Sequence, residues 1–167
     1  GHHPDRPKAS HALTFNLDHS SGAAQLGDVM RESAQAAMTL VKARMGGLGI
    51  DQAVFENSDI HVHVPAGATP KDGPSAGTAI FAAMVSLLVG RKLRNDTAMT
   101  GEISLRGLVL PVGGIREKVM AAATAGLSRV LLPARNRHDF DDIPKAARDV
   151  LEVVWLETVD DILARAF

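Results

Sequence analysis

The 167-residue sequence has no cysteine, no tyrosine and a single tryptophan. Without cysteine the chain forms no disulfide, holds no metal through thiolates and has no cysteine nucleophile. This composition fits a reducing compartment, and we expect a cytoplasmic location. With so few aromatic residues, a surface that stacks nucleic-acid bases is not expected. The formal net charge of −1 likewise gives no electrostatic reason to expect binding to nucleic acid or to an anionic membrane.

Long apolar runs are also missing, since no stretch is long enough to cross a bilayer, and no signal peptide is visible at the polar N-terminus. Hydrophobic residues make up 46% of the chain and charged residues 22%, which is ordinary for a globular domain. The length suits a single compact domain with its own core. We interpret residues 1–10, which open with Gly1, His2 and His3, as a tag or linker remnant, and residues 11–167 as the domain.

The hydrophobic periodicity predicts an α+β (mixed α/β) fold. An amphipathic helix is predicted from Leu26 and is expected to end at Gly46 and Gly47. A second helix, over residues 76–89, is apolar on nearly every side and is expected to run through the core. The predicted strands cover residues 13–17, 60–64, 98–103, 109–112, 129–132 and 151–156, and the other predicted helices cover 115–125, 136–142, a stretch after Pro144 and 158–165.

A loop rich in glycine and proline joins the strand over 60–64 to the apolar helix. These residues restrict the backbone tightly. Ser75 lies where this helix is expected to begin, among backbone N–H groups that have no partner within the helix. Serine at such a position most often caps the helix. It can also be a nucleophile beside N–H groups that are placed to bind an oxyanion.

Lys118 is the candidate base for a serine nucleophile. A lysine serves as a base only where burial or a nearby cation lowers its pKa toward neutrality. The apolar neighbours of Lys118, including Val119, are compatible with partial burial. Spacing alone, however, favours a solvated helix face made of Arg116, Glu117 and Lys118.

Three blocks of the sequence have a distinctive pattern. Pro70–Gly77 reads Pro-Lys-Asp-Gly-Pro-Ser-Ala-Gly, Thr100–Gly107 reads Thr-Gly-Glu-Ile-Ser-Leu-Arg-Gly, and Gly113–Lys118 reads Gly-Gly-Ile-Arg-Glu-Lys. All three resemble motifs of the proteolytic domain of bacterial Lon, the ATP-dependent Ser-Lys protease, and the interval between serine and lysine has the family's length. The resemblance covers residues 25–167. It implies the Lon proteolytic-domain fold, which is similar to a fold found in some ribosomal proteins.

The resemblance also implies roles for single residues. Ser75 is the implied nucleophile, Lys118 the implied general base, and the Thr100 hydroxyl is expected to orient the lysine amine. Asp72 and Glu102 match motif positions and are expected to support the site. Asp72 either hydrogen-bonds near the nucleophile or fixes the loop as an Asx-turn. The implied oxyanion hole is the backbone N–H of Ser75 with a neighbouring loop N–H.

His61 and His63 alternate along a predicted strand and are expected to share one of its faces. They match family positions, so we expect them to support the site or the substrate groove. Two histidines so spaced can also ligate zinc, but no third ligand is evident, and no metal site is predicted. The chain departs from the family at Ala66, where many relatives have Glu, and before Gln25, where the usual opening segment is not seen.

The function that the resemblance implies is a serine endopeptidase domain, which hydrolyses unfolded or damaged polypeptides and works in a homo-hexameric ring. No cofactor is predicted for this chain. It has no Gly-x4-Gly-Lys-Ser/Thr loop, so ATP and Mg²⁺ are expected to act on an ATPase module that it does not contain. Two alternatives stay open: a non-catalytic ring-forming module in which Ser75 caps a helix, and a nucleic-acid-binding domain.

Overall fold

The computed structural model describes residues 9–14, 28–63 and 73–167 of the chain. In chain order its elements are β1 (Ala9–Thr14), α1 (Asp28–Leu48), α2 (Gln52–Glu56), β2 (Ser58–His63), α3 (Gly77–Val89), β3 (Thr97–Met99), β4 (Glu102–Ile103), β5 (Val109–Leu110), α4 (Ile115–Thr124), β6 (Arg129–Pro133), α5 (Lys145–Val150), β7 (Glu152–Leu156) and α6 (Val159–Arg165). Two 3₁₀ segments, Pro74–Ala76 and Ala134–Asp142, precede α3 and follow β6. This mixture of helices and strands confirms the predicted α+β class.

The described strands form three small sheets. β1 pairs with β2 in parallel, and β4 pairs with β5 as an antiparallel hairpin. The largest sheet is parallel in the order β3-β6-β7, with Thr97 opposite Arg129 and Arg129 opposite Glu152. Every residue of β6 is buried, as is usual for a central parallel strand that is covered on both faces.

Helices cover both faces of the β3-β6-β7 sheet. Leu131 of β6 packs in a cluster with buried residues of α1, α3 and α6, whereas Val130 and Leu132 pack in a second cluster with α4 and α5. This division follows from the strand geometry, because successive side chains point to opposite faces. As a result α3 lies on one side of the sheet and α4 on the other.

Helix α3 is the buried helix that its composition predicted. Most of its 13 residues are buried, and Phe81, Ala82 and Thr78 are fully inaccessible to solvent. Because almost every side of this helix is apolar, covering all of them buries the most apolar surface and stabilises the fold most. The helix ends at Gly90, whose φ of 69° is readily adopted only by glycine.

The structure corrects two predicted boundaries. α1 does not end at Gly46 and Gly47: both stay helical, and the chain turns at Gly49, whose φ is +70°. The expected single strand over 98–103 is two strands, because the chain leaves β6 after Met99 and pairs with β5 from Glu102. The split of the strand reflects pairing with different tertiary partners, which local sequence does not encode.

The structure also shows a short helix and a strand start that were not predicted. The short helix α2 was not predicted; the Asp51 carboxylate caps it by accepting the Ala53 N–H at 2.9 Å. β1 begins at Ala9, inside the stretch that we interpreted as a tag remnant, and residues 15–17 of the predicted first strand lie outside the described residues. No helix in the described ranges is long and apolar enough to span a membrane.

Thr78 provides a test of packing in α3. It is fully buried, and its hydroxyl has no hydrogen-bond partner among the described residues. An unpaired buried polar group costs about 1–3 kcal/mol, and valine has nearly the same shape without the hydroxyl. We therefore expect Thr78→Val to leave the free energy of unfolding unchanged or to raise it by about 1 kcal/mol, measured by denaturant titration.

The matched control is Thr39→Val on α1, where an exposed threonine hydroxyl donates to the Gln35 carbonyl at 3.0 Å. Surface changes of this kind are worth within about 0.5 kcal/mol. A loss of more than about 1 kcal/mol in Thr78→Val, with the control unchanged, would contradict the assignment of Thr78 as an unpaired group.

Candidate active site

Three side chains from three different elements meet in one cleft. Ser75 lies in the 3₁₀ turn before α3, Thr100 directly follows β3, and Lys118 lies in the first turn of α4. α3 and α4 cover opposite faces of the sheet, and in the described part of the chain β3 is its edge strand. The start of each helix therefore lies near the carboxyl end of β3. The cleft that these residues share has a volume of about 390 Å³.

Two backbone hydrogen bonds fix the turn that carries Ser75. The Gly101 N–H donates to the Ser75 carbonyl at 2.9 Å, and the Thr78 N–H donates to the Gly101 carbonyl at 3.1 Å. A Cβ added to Gly77 would lie 3.0 Å from Ile103 Cγ1, and one added to Gly101 would lie 2.7 Å from Thr78 Cγ2. Glycine at both positions therefore lets the two backbones approach closely enough to bond.

Thr100 connects the lysine to the serine-bearing turn. The Lys118 amine donates to Thr100 Oγ1 at 3.1 Å, and the Thr100 hydroxyl donates to the Ser75 carbonyl at 3.3 Å. Because the threonine proton points to the carbonyl, a lone pair on its oxygen faces the amine. A neutral amine that donates one N–H to Thr100 keeps its lone pair, which can accept a proton.

The Ser75 hydroxyl does not cap a helix. The residue that precedes α3 is Ala76, and among the described residues no side chain caps this helix. Nor does the structure show a hydrogen bond of the Ser75 hydroxyl to any described residue. This observation removes the structural role that a serine at a helix start most often has.

Burial lowers the pKa of the Lys118 amine below its ordinary value. The side chain is half-buried, and it is the one charged group among the described residues that line the cleft. The other described lining residues are apolar apart from Ser75 and Thr100, so none of them is a carboxylate that would stabilise the protonated amine. The surroundings therefore favour the neutral form of the lysine.

Among the other predicted site residues, Glu102 is the one whose side chain the structure describes, and it lies outside this cleft. Glu102 is half-buried on β4 and lines a separate groove with Pro74 and residues of α1. Asp72 lies outside the described residues. His61 and His63 belong to β2, where their backbones pair with β1, but their side chains are outside the described part of the chain. Their supporting roles stay predictions.

The apolar wall of the cleft was missed by the sequence analysis. Six of the fourteen described lining residues are alanines, and five more have longer apolar side chains: Ala76, Ala79, Ala98, Met99, Val119, Ala121, Ala122, Ala125, Leu127, Val130 and Leu132. A signal was present, because residues 121–125 place alanines on the same helix as Lys118. Small side chains leave space against a neighbouring strand, and here that space becomes the cleft.

Comparison with known proteins places this geometry in a family. A sequence model described as the Lon protease (S16) C-terminal proteolytic domain matches residues 17–167. The chain belongs to this family. The match begins earlier than the resemblance over 25–167, and it confirms the predicted fold and the serine-peptidase class. The individual roles of Ser75, Thr100 and Lys118 stay predictions.

Curated relatives of the chain carry the same family name. The Lon protease of Methylocella silvestris is 71% identical over 143 residues, which cover 86% of the chain and 18% of that protein. The Lon proteases of Phenylobacterium zucineum and Paraburkholderia phytofirmans are 67% and 66% identical, over 83% and 82% of the chain and 18% and 17% of those proteins. The chain thus spans less than a fifth of the length of these relatives.

The lowered pKa of Lys118 predicts how activity depends on pH. A lysine with an ordinary pKa of about 10.4 is almost wholly charged near pH 7, and burial disfavours that charged form. The neutral fraction grows as the pH rises, so kcat/KM for an unstructured peptide should climb with pH and level off below about pH 10.4. Lys118→Arg should be inactive throughout, because a guanidinium keeps its proton.

The control is Lys145→Arg, which changes an exposed lysine that pairs with Asp149 at 2.8 Å, and it should retain the wild-type profile. A profile that is flat from about pH 6 to about pH 10, or substantial turnover by Lys118→Arg, would show that another group is the base. His61 and His63 would then be the next bases to substitute with alanine.

Proposed function

We propose that this chain is the catalytic domain of an ATP-dependent protease, in which Ser75 and Lys118 form the catalytic dyad that hydrolyses peptide bonds of unfolded or damaged polypeptides. The observation that carries the proposal is the hydrogen-bonded series from the Lys118 amine through Thr100 to the Ser75 turn, at an apolar cleft. The series supplies a base whose neutral form is favoured, and it ends at the carbonyl of a serine whose hydroxyl has no hydrogen-bond partner among the described residues.

The reaction begins with proton transfer from Ser75 Oγ to the neutral Lys118 amine while the oxygen attacks the substrate carbonyl carbon. The carbonyl π electrons move to its oxygen, and the Ser75 N–H with a neighbouring loop N–H receives this oxyanion. Protonated Lys118 then gives its proton to the departing amine, which leaves an acyl-enzyme. A water molecule, activated by Lys118, hydrolyses the ester and regenerates the Ser75 hydroxyl. Thr100 holds the amine in place through both steps.

The apolar cleft favours substrates that expose apolar side chains. Its volume of about 390 Å³ lies within the range of ligand pockets, and its lining is almost wholly aliphatic. Burying an apolar side chain there contributes roughly 25 cal/mol per Å² of surface removed from water. Folded proteins keep such side chains inside, so the cleft is consistent with cleavage of unfolded polypeptides.

The remaining parts of the proposal concern the whole protein. The relatives named above are Lon proteases of more than five times the chain's aligned length, which leaves room for an ATPase module on which ATP and Mg²⁺ act. The chain itself has no phosphate-binding Gly-x4-Gly-Lys-Ser/Thr loop. We propose assembly into a hexameric ring in the cytoplasm, where ATP-driven unfolding delivers polypeptide to the cleft.

Substitution of the nucleophile tests the proposed function. Ser75→Ala should lower the turnover of an unstructured fluorogenic peptide by at least about 10³-fold, because alanine has no oxygen to form the acyl-enzyme. The fold should be retained, since the hydroxyl has no hydrogen-bond partner among the described residues. Thermal unfolding followed by circular dichroism checks this second expectation.

The matched control is Ser104→Ala, which removes a hydroxyl that accepts the Leu108 N–H at 3.1 Å outside the cleft. It should keep wild-type turnover within about 3-fold while losing some stability. If purified Ser75→Ala is nearly as active as the wild type, Ser75 is not the nucleophile.

A further inference from the structure

One side chain, Asn136, holds the segment that leads into α4. It lies in the 3₁₀ segment Ala134–Asp142 and is 2% exposed. Its Oδ1 accepts the Val112 N–H at 2.9 Å, and its Nδ2 donates to the Val112 carbonyl at 2.9 Å. A single amide thus satisfies both backbone groups of Val112, as a neighbouring strand would.

The orientation of this amide is itself fixed. Nδ2 makes a second hydrogen bond, to Asp139 Oδ2 at 2.8 Å. A flipped amide would place its oxygen against the Asp139 carboxylate and the Val112 carbonyl, where three acceptors would meet without a donor. Asp139 therefore orients the amide, and the amide holds Val112.

Only two glycines separate Val112 from the helix that carries Lys118. Gly114 adopts a φ of +71°, and among the described residues no side chain caps α4. A Cβ added to Gly113 would meet nothing within 4 Å, so this residue packs against no neighbour there. The first turn of α4 begins with the Lys118 N–H, which donates to the Gly114 carbonyl at 3.0 Å. The held Val112 is therefore separated from the start of α4 by only these two residues.

We propose that Asn136 is a positioning residue for Lys118: by holding both backbone groups of Val112, it sets the start of α4 and keeps the lysine amine in the cleft against Thr100. This inference rests on the proposed function of Lys118 as the base. Nothing in the sequence motifs assigns such a role to Asn136. The buried contacts of Ile115 and Val119 hold the body of α4, whereas the Asn136 amide fixes its entry.

Among the described residues, no carboxylate forms an ion pair with the Lys118 amine. Arg116, Glu117, Asp139 and Asp142 line a separate groove beside the first turn of α4. The Asp139 carboxylate accepts from Asn136 and lies 3.4 Å from His138 Nε2. If the entry loosens, the principal change for the amine is access to water, which raises its pKa toward that of a free lysine.

The test compares Asn136→Ala with the wild type in the peptidase assay. The variant should lose about 10-fold to 100-fold in kcat, with KM changed by less than about 3-fold, because a misplaced base slows chemistry more than binding. Its pH–rate profile should shift to higher pH. Asn136→Asp, which keeps an acceptor for the Val112 N–H but loses the donor, serves as a second variant if the alanine variant does not fold, and it should shift the profile in the same direction.

A control separates positioning from general loss of stability. Ile143→Val trims a fully buried side chain in the cluster that packs on α4, and it should lower the midpoint of thermal unfolding. It makes no hydrogen bond to Val112 and does not itself line the cleft, so its pH–rate profile should match the wild type. An equal shift in this control would overturn the proposal, since stability alone would then explain it.

A second readout does not depend on catalysis. The pH dependence of acetylation of the Lys118 amine, followed by mass spectrometry, reports its pKa, with exposed Lys145 as internal reference. Asn136→Ala should raise the pKa of Lys118 and leave Lys145 unchanged. If both the acetylation profile and kcat are unchanged in Asn136→Ala, the proposed role of Asn136 is overturned. If instead the activity of the wild type does not depend on Lys118, the proposed function is refuted. The acetylation result then decides the role of Asn136 by itself.

Discussion

The close approach of the Ser75 turn to Gly101 is the constraint on which the site depends. Two backbone hydrogen bonds, at 2.9 and 3.1 Å, tie the start of α3 to the end of β3. Glycine at positions 77 and 101 permits this approach, because a Cβ would lie 2.7 Å from Thr78 Cγ2 at position 101 and 3.0 Å from Ile103 Cγ1 at position 77. Since the same Ser75 carbonyl also accepts the Thr100 hydroxyl, this backbone contact places the serine, the threonine and, through the threonine, the lysine amine.

The apolar wall of the cleft serves the base and the substrate by the same physical effect. Alanine, valine and leucine side chains keep water from the Lys118 amine, which lowers its pKa. The same surface is available to apolar groups of a polypeptide. A lysine-based site does not need a carboxylate partner of the kind that orients histidine in other serine hydrolases. A carboxylate here would stabilise the charged amine and work against it.

Local sequence predicted the elements whose identity depends on composition. The apolar stretch 76–89 forms the buried helix, and the run Arg129–Leu132 forms a buried central strand. Length and residue type separate the two, because the first run is long and rich in alanine and the second is short and rich in aliphatic residues. Motifs pointed to Ser75, Thr100 and Lys118. What sequence did not predict depends on partners distant in the chain. The predicted strand breaks at Gly101, where the chain changes its pairing partner, and the Asn136 amide bonds to Val112, 24 residues away.

Covalent labelling tests the central claim, that neutral Lys118 activates Ser75. A fluorophosphonate should modify the protein once, at Ser75, as located by mass spectrometry. The labelling rate should rise with pH as the Lys118 amine loses its proton, and Lys118→Met should lose nearly all of it while remaining folded. Labelling that is absent from Ser75, or that proceeds at the wild-type rate in Lys118→Met, would contradict the account.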